Sequence, residues 1–159
     1  MIIEFKKMIK KDLPFYLEVK NDPITRKYIG DNDIITMEEA EVFLKNLPML
    51  YYIILIDKIP VGILKRFIIR EPYARYAIDI HPDHRRKGYA RAAYKKIYKQ
   101  SDKKKEVCLV RCFDDNLALP LHLELGHVIC EGGNKTVFVK DENGIIQPRN
   151  YIKLRRVPK

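Results

Sequence analysis

Apolar and polar residues alternate from Ile2 to Lys6, and a period of two predicts a first strand. The period then lengthens. Asp12 is placed to cap a helix running to about Lys20, with Leu13, Tyr16, Leu17 and Val19 as core contacts. Asp22-Pro23 opens a second, short helical piece, where proline is tolerated in the first turn. Thr36 and Glu39 have capping-box spacing and predict a helix to about Asn46, with Ala40, Phe43, Leu44 and Leu47 on one face. From Tyr51 the period returns to two. Strands are expected at Tyr51–Ile56, Ile59–Ile69 and Tyr73–His81, with Asp57-Lys58 as a turn. Their connections are too short for crossovers, so they form an antiparallel meander.

A helix from about Gly88 to Gln100 turns Ala90, Ala93, Tyr94 and Ile97 inward and Arg91, Lys95, Lys96 and Lys99 to water. Beyond it the pattern predicts a strand at Glu106–Cys112, a short helix near Leu121–Leu125 and a strand starting at Val128–Cys130. Strands at Thr136–Val139 and Tyr151–Leu154 follow, with Asp141–Gly144 as a turn. The expected class is α+β: one mixed, mostly antiparallel sheet flanked by helices. No repeat and no Pro/Gly/Ser linker divides the chain, which predicts a single domain over 1–159.

At 159 residues, the chain is long enough to bury a genuine core. Its longest apolar run, Met49 to Ile56, falls well short of the roughly 18 residues a membrane span needs. The first residues lack the basic, apolar and small-residue order of a secretory signal. Three cysteines are too few, and odd in number, for a disulfide scaffold, so a cytoplasmic location is expected. Cys108 and Cys112, followed by His122 and His127, loosely have the spacing of a zinc finger. The segment Val107–Cys112 also reads as a strand with both cysteines on one face, and buried structural cysteines explain it better; no metal is expected.

Charge adds direction. The chain carries +10, yet Glu18 to Glu41 holds seven acids against three bases, leaving +14 elsewhere. The basic excess favours an anionic partner. The sharpest segment is Ile78–Ala90. A strand ends at His81-Pro82, since proline cannot donate to a ladder. A basic turn then leads through Gly88 and the small Ala90 into the amphipathic helix. Free amides and the dipole at a helix start suit a diphosphate. Gly88 lets phosphate oxygens approach the backbone, and Arg85, Arg86 and Lys87 add charge.

Arg85-Arg86-Lys87-Gly88-Tyr89-Ala90 resembles the Arg/Gln-x-x-Gly-x-Gly/Ala signature of the GNAT superfamily of acyl-CoA-dependent N-acyltransferases. Asn116 followed by Leu123-Glu124-Leu125-Gly126 resembles the family's second motif. The good match covers about residues 51–130. The resemblance implies a GNAT-like sheet splayed at a cofactor cleft, with acetyl-CoA as co-substrate and an amine as acceptor. It implies cofactor contacts at Ile78, Ile80, Arg85, Arg86, Lys87, Gly88, Tyr89, Ala90 and Asn116. The cofactor's arm would pair with the Ile78–Ile80 edge, and the Ile80 amide would polarise the thioester carbonyl while the amine attacks directly.

The sequence departs from the family's pattern at His122, at His127, where the family has an aromatic, in an Asn116-to-Gly126 spacing one residue shorter than usual, and at Pro120. His122 stands where the family's usual tyrosine acid is found, and with an ordinary pKa of about 6.5 roughly a quarter of it would be charged at pH 7. Pro120 blocks an ordinary helix between Asn116 and Gly126. Asp79 and His81, on one side of their strand, are candidate bases, as are Glu71, Asp114 and Asp115. The acidic Glu18–Glu41 segment overlaps the family's acceptor wall, so a cationic amine is expected. Two alternatives stay open: a protein directed at nucleic acid, from Lys103–Lys105 and Arg155-Arg156, and a CoA-binding sensor without catalysis. Monomer and homodimer are both compatible with the chain.

Overall fold

In the computed structural model, which describes residues 1–47 and 49–159, eight strands form one sheet in the order Ile3–Lys7 (β1), Leu50–Ile56 (β2), Ile59–Arg70 (β3), Tyr73–Ile80 (β4), Val107–Phe113 (β5), Ile146–Arg156 (β8) and Val128–Ile129 (β6), with Lys135–Lys140 (β7) paired to β8. The first four strands are all antiparallel neighbours. Before β2 come α1 (Leu13–Asn21), α2 (Pro23–Ile29) and α3 (Met37–Lys45). The helix α4 (Tyr89–Lys104) carries the chain across to β5 (Val107–Phe113), the one strand parallel to its neighbour β4. After it come α5 (Leu119–Glu124), β6 (Val128–Ile129), β7 (Lys135–Lys140) and β8 (Ile146–Arg156).

The near-continuous apolar run of β2 follows from burial on both faces. Tyr51 and Ile53 pack with Leu13, Tyr16, Val19 and Ala40 from α1 and α3. Ile54 and Ile56 pack on the other side with Ala93, Tyr94, Ile97 and Tyr98 of α4. Each fully buried aliphatic side chain contributes about 1.5–3 kcal/mol. Thr36 and Glu39 form the reciprocal cap that their spacing predicts, fixing the start of α3.

The decisive feature is where pairing stops. β4 and β5 are bonded only over Tyr73–Arg75 and Val107–Leu109. Beyond Arg75 the two strands part, and a V-shaped gap opens in the sheet. Its closed end is pinned by Glu106, which accepts from Arg66 at 2.5 Å, from Ser101 at 3.1 Å and from the Tyr76 hydroxyl. Burial alone would raise this carboxyl's pKa, but the hydrogen bonds from Tyr76 and Arg66 outweigh it and hold it low. On the far side of β4, β3 comes close at Gly62. A Cβ there would meet the Asp79 carbonyl oxygen at 2.5 Å. Gly62→Ala should therefore push β4 toward the gap and lower stability by about 1–3 kcal/mol. Urea unfolding measures this, and an unchanged midpoint would refute the close contact.

Several boundaries differ from expectation. α4 runs one turn further, to Lys104, because Ser101 is buried and the basic Lys103 and Lys104 suit the helix's negative end. β8 begins at Ile146 rather than Tyr151; Pro148 and its polar neighbours conceal a strand that pairs with β7 at the sheet's border. α5 starts at Leu119, with Pro120 in its first turn, where a missing amide costs nothing.

Candidate active site

The gap and the space around its mouth form a cavity of about 830 Å³, lined on one side by β4 and α4 and on the other by β5 and α5. The backbone of β4 explains one wall. The His81 amide donates to the Val61 carbonyl at 2.9 Å, so it points toward β3. Alternation then turns the amides of Ile80 and Ile78 to the opposite side, into the gap. The Ile80 carbonyl on this edge accepts from Arg85 Nε at 3.1 Å.

After β4, Pro82–His84 make a tight 3₁₀ turn, and the chain swings through Arg86 (φ 62°) and Gly88 (φ 77°) into α4. Two left-handed residues around Lys87 turn successive amides toward one concavity. Gly88 occupies the cap position with no side-chain cap, so the first-turn amides of α4 lack an internal acceptor. A Cβ built at Gly88 would meet nothing within 4 Å, so the space before the loop is open. Gly88, Tyr89, Ala90 and Arg86 all line the cavity. These are the features a diphosphate requires: unengaged amides, a positive helix end and room for oxygens.

The basic side chains of the motif divide their work differently from the sequence expectation. Arg85 does not offer its guanidinium to the loop. It bonds Asp22 at 2.5 Å, Thr25 at 2.9 Å and the Ile80 carbonyl, clamping α2 to the end of β4. Burial would raise the Asp22 carboxyl, but the Arg85 and Thr25 bonds prevail and hold it low. Lys87 turns back onto the Asp83 carbonyl at 2.8 Å. Arg85 and Arg86 both stand in the cavity lining, and Lys87 does not.

The candidate acid and bases lie in different surroundings. His122 does line the cavity, but it is only 3% exposed and lies edge-on to Tyr94, with ring centroids 4.8 Å apart. Burial lowers its pKa from 6.5 to about 4, so the charged fraction expected at pH 7 is absent. His81 faces α1 rather than the cavity. Its Nδ1 accepts from the Asp83 amide at 3.2 Å, its Nε2 meets Glu18 at 3.0 Å, and its ring stacks on Phe15. Both nitrogens are engaged, which leaves no lone pair for an amine. Asp79 lies in the cavity wall, paired with Lys65 at 2.5 Å. Asn116 also lines the cavity. Its side-chain oxygen accepts from the Ala118 amide at 2.8 Å.

Tyr94 escaped the sequence reading because it sits on the apolar stripe of α4 beside Ala93 and Ile97, where a phenol counts as core. Its ring packs in the core cluster under α4, edge-on to His122, and also lines the cavity. Burial, with Asp79 nearby, raises its pKa and keeps it protonated at neutral pH. The acids of the Glu18–Glu41 stretch are mostly engaged: Glu18 with His81, Asp22 with Arg85, Asp31 with Lys20, Glu41 with Lys10 and Glu39 in its cap. They do not line the cavity. Among the basic groups, Arg156 is held by Asp102 through two bonds of 2.8 and 2.9 Å.

Cys108 and Cys112 are buried in separate core clusters, and all three cysteines are free thiols. Among the described residues no group of three or more His, Cys, Asp or Glu could hold a metal ion, and no helix is long and apolar enough to cross a membrane.

Solved structures share this architecture. The ribosomal-protein-alanine N-acetyltransferase from Brucella melitensis is 16% identical with a TM-score of 0.76, covering 99% of both chains. The spermidine N-acetyltransferase from Vibrio cholerae, in complex with CoA and spermine, is 17% identical with a TM-score of 0.79, covering 98% of this chain and 95% of that one. The phosphinothricin acetyltransferase from Sinorhizobium meliloti, in complex with acetyl-CoA, is 13% identical with a TM-score of 0.76, covering 99% and 89%. No curated protein matches the sequence. These likenesses establish the fold. The model of the acetyltransferase (GNAT) family matches residues 12–126, spanning both the splayed strands and the glycine loop, and the chain belongs to that family.

Proposed function

We propose that the chain is a single acetyltransferase domain, acting in the cytoplasm, which moves an acetyl group from acetyl-CoA to a primary amine. The observation that carries this reading is the glycine loop: uncapped amides at the start of α4, open space before Gly88, and an unpaired β4 edge leading from there into the gap. Acetyl-CoA would supply an activated acyl thioester.

In this reading the first-turn amides of α4, with Arg86, hold the diphosphate, and the edge of Ile78 and Ile80 takes the pantetheine arm as an added strand. The Ile80 amide stabilises the charge that develops on the carbonyl oxygen. The amine attacks the carbonyl carbon directly, the carbon–sulfur bond breaks, and no acyl group is attached to the protein. Tyr94 donates a hydrogen bond to the departing sulfur. The nitrogen sheds one proton and the thiolate gains one, so the exchange balances. Asp79, paired with Lys65, is the carboxylate nearest to the attacking nitrogen's path. His122 shapes the gap behind Tyr94, and Asn116 holds the start of α5 at its mouth.

Thermal unfolding with and without acetyl-CoA tests the binding half. At about 100 times Kd a rise of about 5–10 °C is expected. Thiol release across a panel of amines tests the transfer. Absence of any shift would overturn the assignment, and a shift without turnover of any amine would leave a binding protein instead.

A further inference from the structure

Two arginines, Arg75 and Arg111, stand in the cavity wall. Arg75 is the last residue of β4 paired to β5, and its partner there is Leu109. Arg111 lies two residues further along β5 and therefore on the same face as Leu109. Ile63, opposite Asp79 on β3, packs toward α1 and α3, which identifies this as the sheet face away from α4. Both arginines line the cavity at the apex of the V, with Phe67, Tyr28 and Tyr151 around them.

Among the described residues the arginines divide: five hold an ion pair and six, Arg26, Arg70, Arg75, Arg86, Arg111 and Arg155, hold none. Arg66, Arg85, Arg91, Arg149 and Arg156 each pair with a carboxylate. Among the described residues neither Arg75 nor Arg111 has an ion-pair partner. Arg75 lies over the Phe67 ring at 5.1 Å, which orients its planar head. Burial, and then the charge of Arg111, lowers its pKa. The one carboxylate in the cavity wall, Asp79, is already neutralised by Lys65. These cations are not needed for the diphosphate. Arg75 precedes Ile80 by five residues, about 16 Å of strand, and the glycine loop lies beyond Ile80.

We propose that the acceptor amine also carries a carboxylate, which seats between Arg75 and Arg111 and aims the amino group at the apex of the gap. A second ammonium, as in a polyamine, would face two unneutralised guanidiniums. A carboxylate could accept from both in fork geometry. This deepens the proposed acetyl transfer and rests on it. A free amino acid and a peptide with an acidic residue next to its N-terminus present the same group from different sources.

The test is thiol release with the full chain and saturating acetyl-CoA. Four acceptors are compared: an α-amino acid, its carboxamide, a short peptide with an acidic second residue, and spermidine. The carboxylate-bearing amines should show kcat/KM about 10- to 100-fold above the carboxamide and spermidine. Preference between the amino acid and the peptide then identifies the source. In Arg75→Gln and Arg111→Gln the carboxylate-to-carboxamide ratio should collapse toward one, mainly through KM, and Arg111→Lys should restore part of it. The acetyl-CoA thermal shift of each variant shows that it is folded and loaded. Equal ratios in the parent protein, a preference for spermidine, or ratios unmoved by either glutamine would overturn the proposal while leaving acetyl transfer standing. No acetyl-CoA shift in the parent would remove both.

Discussion

Replacing Gly88 by glutamate should abolish the acetyl-CoA thermal shift and reduce acetyl transfer more than about 100-fold. Two effects combine. Gly88 has φ 77°, and an L-residue held there costs about 1–2 kcal/mol. The new carboxylate would also stand at the uncapped start of α4, competing for the amides that a diphosphate needs and repelling it. Each lost bond to a charged phosphate removes about 1.5–3 kcal/mol, and loss of two accounts for the expected factor.

Gly88→Ala separates the causes. Its Cβ enters open space, so it carries the backbone strain without the charge. The alanine variant should unfold about 1–2 kcal/mol earlier in urea yet keep most of its acetyl-CoA shift. If the glutamate variant instead binds and turns over normally, the loop is not the anchor and the proposed activity fails with it.

The sequence exposes this loop because its chemistry is local. A proline ends a strand, a glycine follows four residues after His84, and a small residue opens an amphipathic helix, all within one continuous segment. The meander was legible for the same reason: each strand's period and each short turn lie within a few neighbouring residues, and Asp57 and Lys58 adopt the positive φ of a tight turn. What stayed hidden depends on partners far along the chain. Arg85 is drawn from the phosphate side by Asp22, 63 residues earlier, and His81 by Glu18 across the same span. Local spacing carries no trace of either. Arg75 and Arg111 sit on separate strands and share a sheet face because β4 and β5 pair over three residues before parting. Tyr94 shows the opposite limit. Its position on an apolar stripe was read correctly, but the stripe faces both the core and the gap, and periodicity cannot tell those two surroundings apart.

Lowering the pH from 7 to 5 should cost the folded protein about 2–4 kcal/mol, measured as the fall in urea unfolding free energy. The cause is a pair of buried neutral histidines. His122 and His127 are each 3% exposed, their ring centroids are 5.4 Å apart, and His122 Nδ1 and His127 Nε2 lack a hydrogen-bond partner. Burial lowers both from 6.5 to about 4, with each other's charge and Arg156 adding to the effect at His127. The sign follows from proton counting. Between about pH 6.5 and 4 the unfolded chain binds protons at these sites and the folded chain does not, so stability present above pH 6.5 drains away as pH falls. Each group loses up to about 1.4 kcal/mol per pH unit in that window. His84, lowered by burial and by Lys87, acts in the same direction. The depressed carboxyls of Asp22, Asp102 and Glu106 are lost only further down, below the ordinary carboxylate range, so they do not shape this window. His122→Phe should remove roughly half of the slope, since an apolar ring can lie against Tyr94 without a proton to gain. An unchanged slope in that variant, or a flat profile in the parent chain, would show that His122 takes up a proton in the folded state, and it would then return as a candidate acid beside the gap.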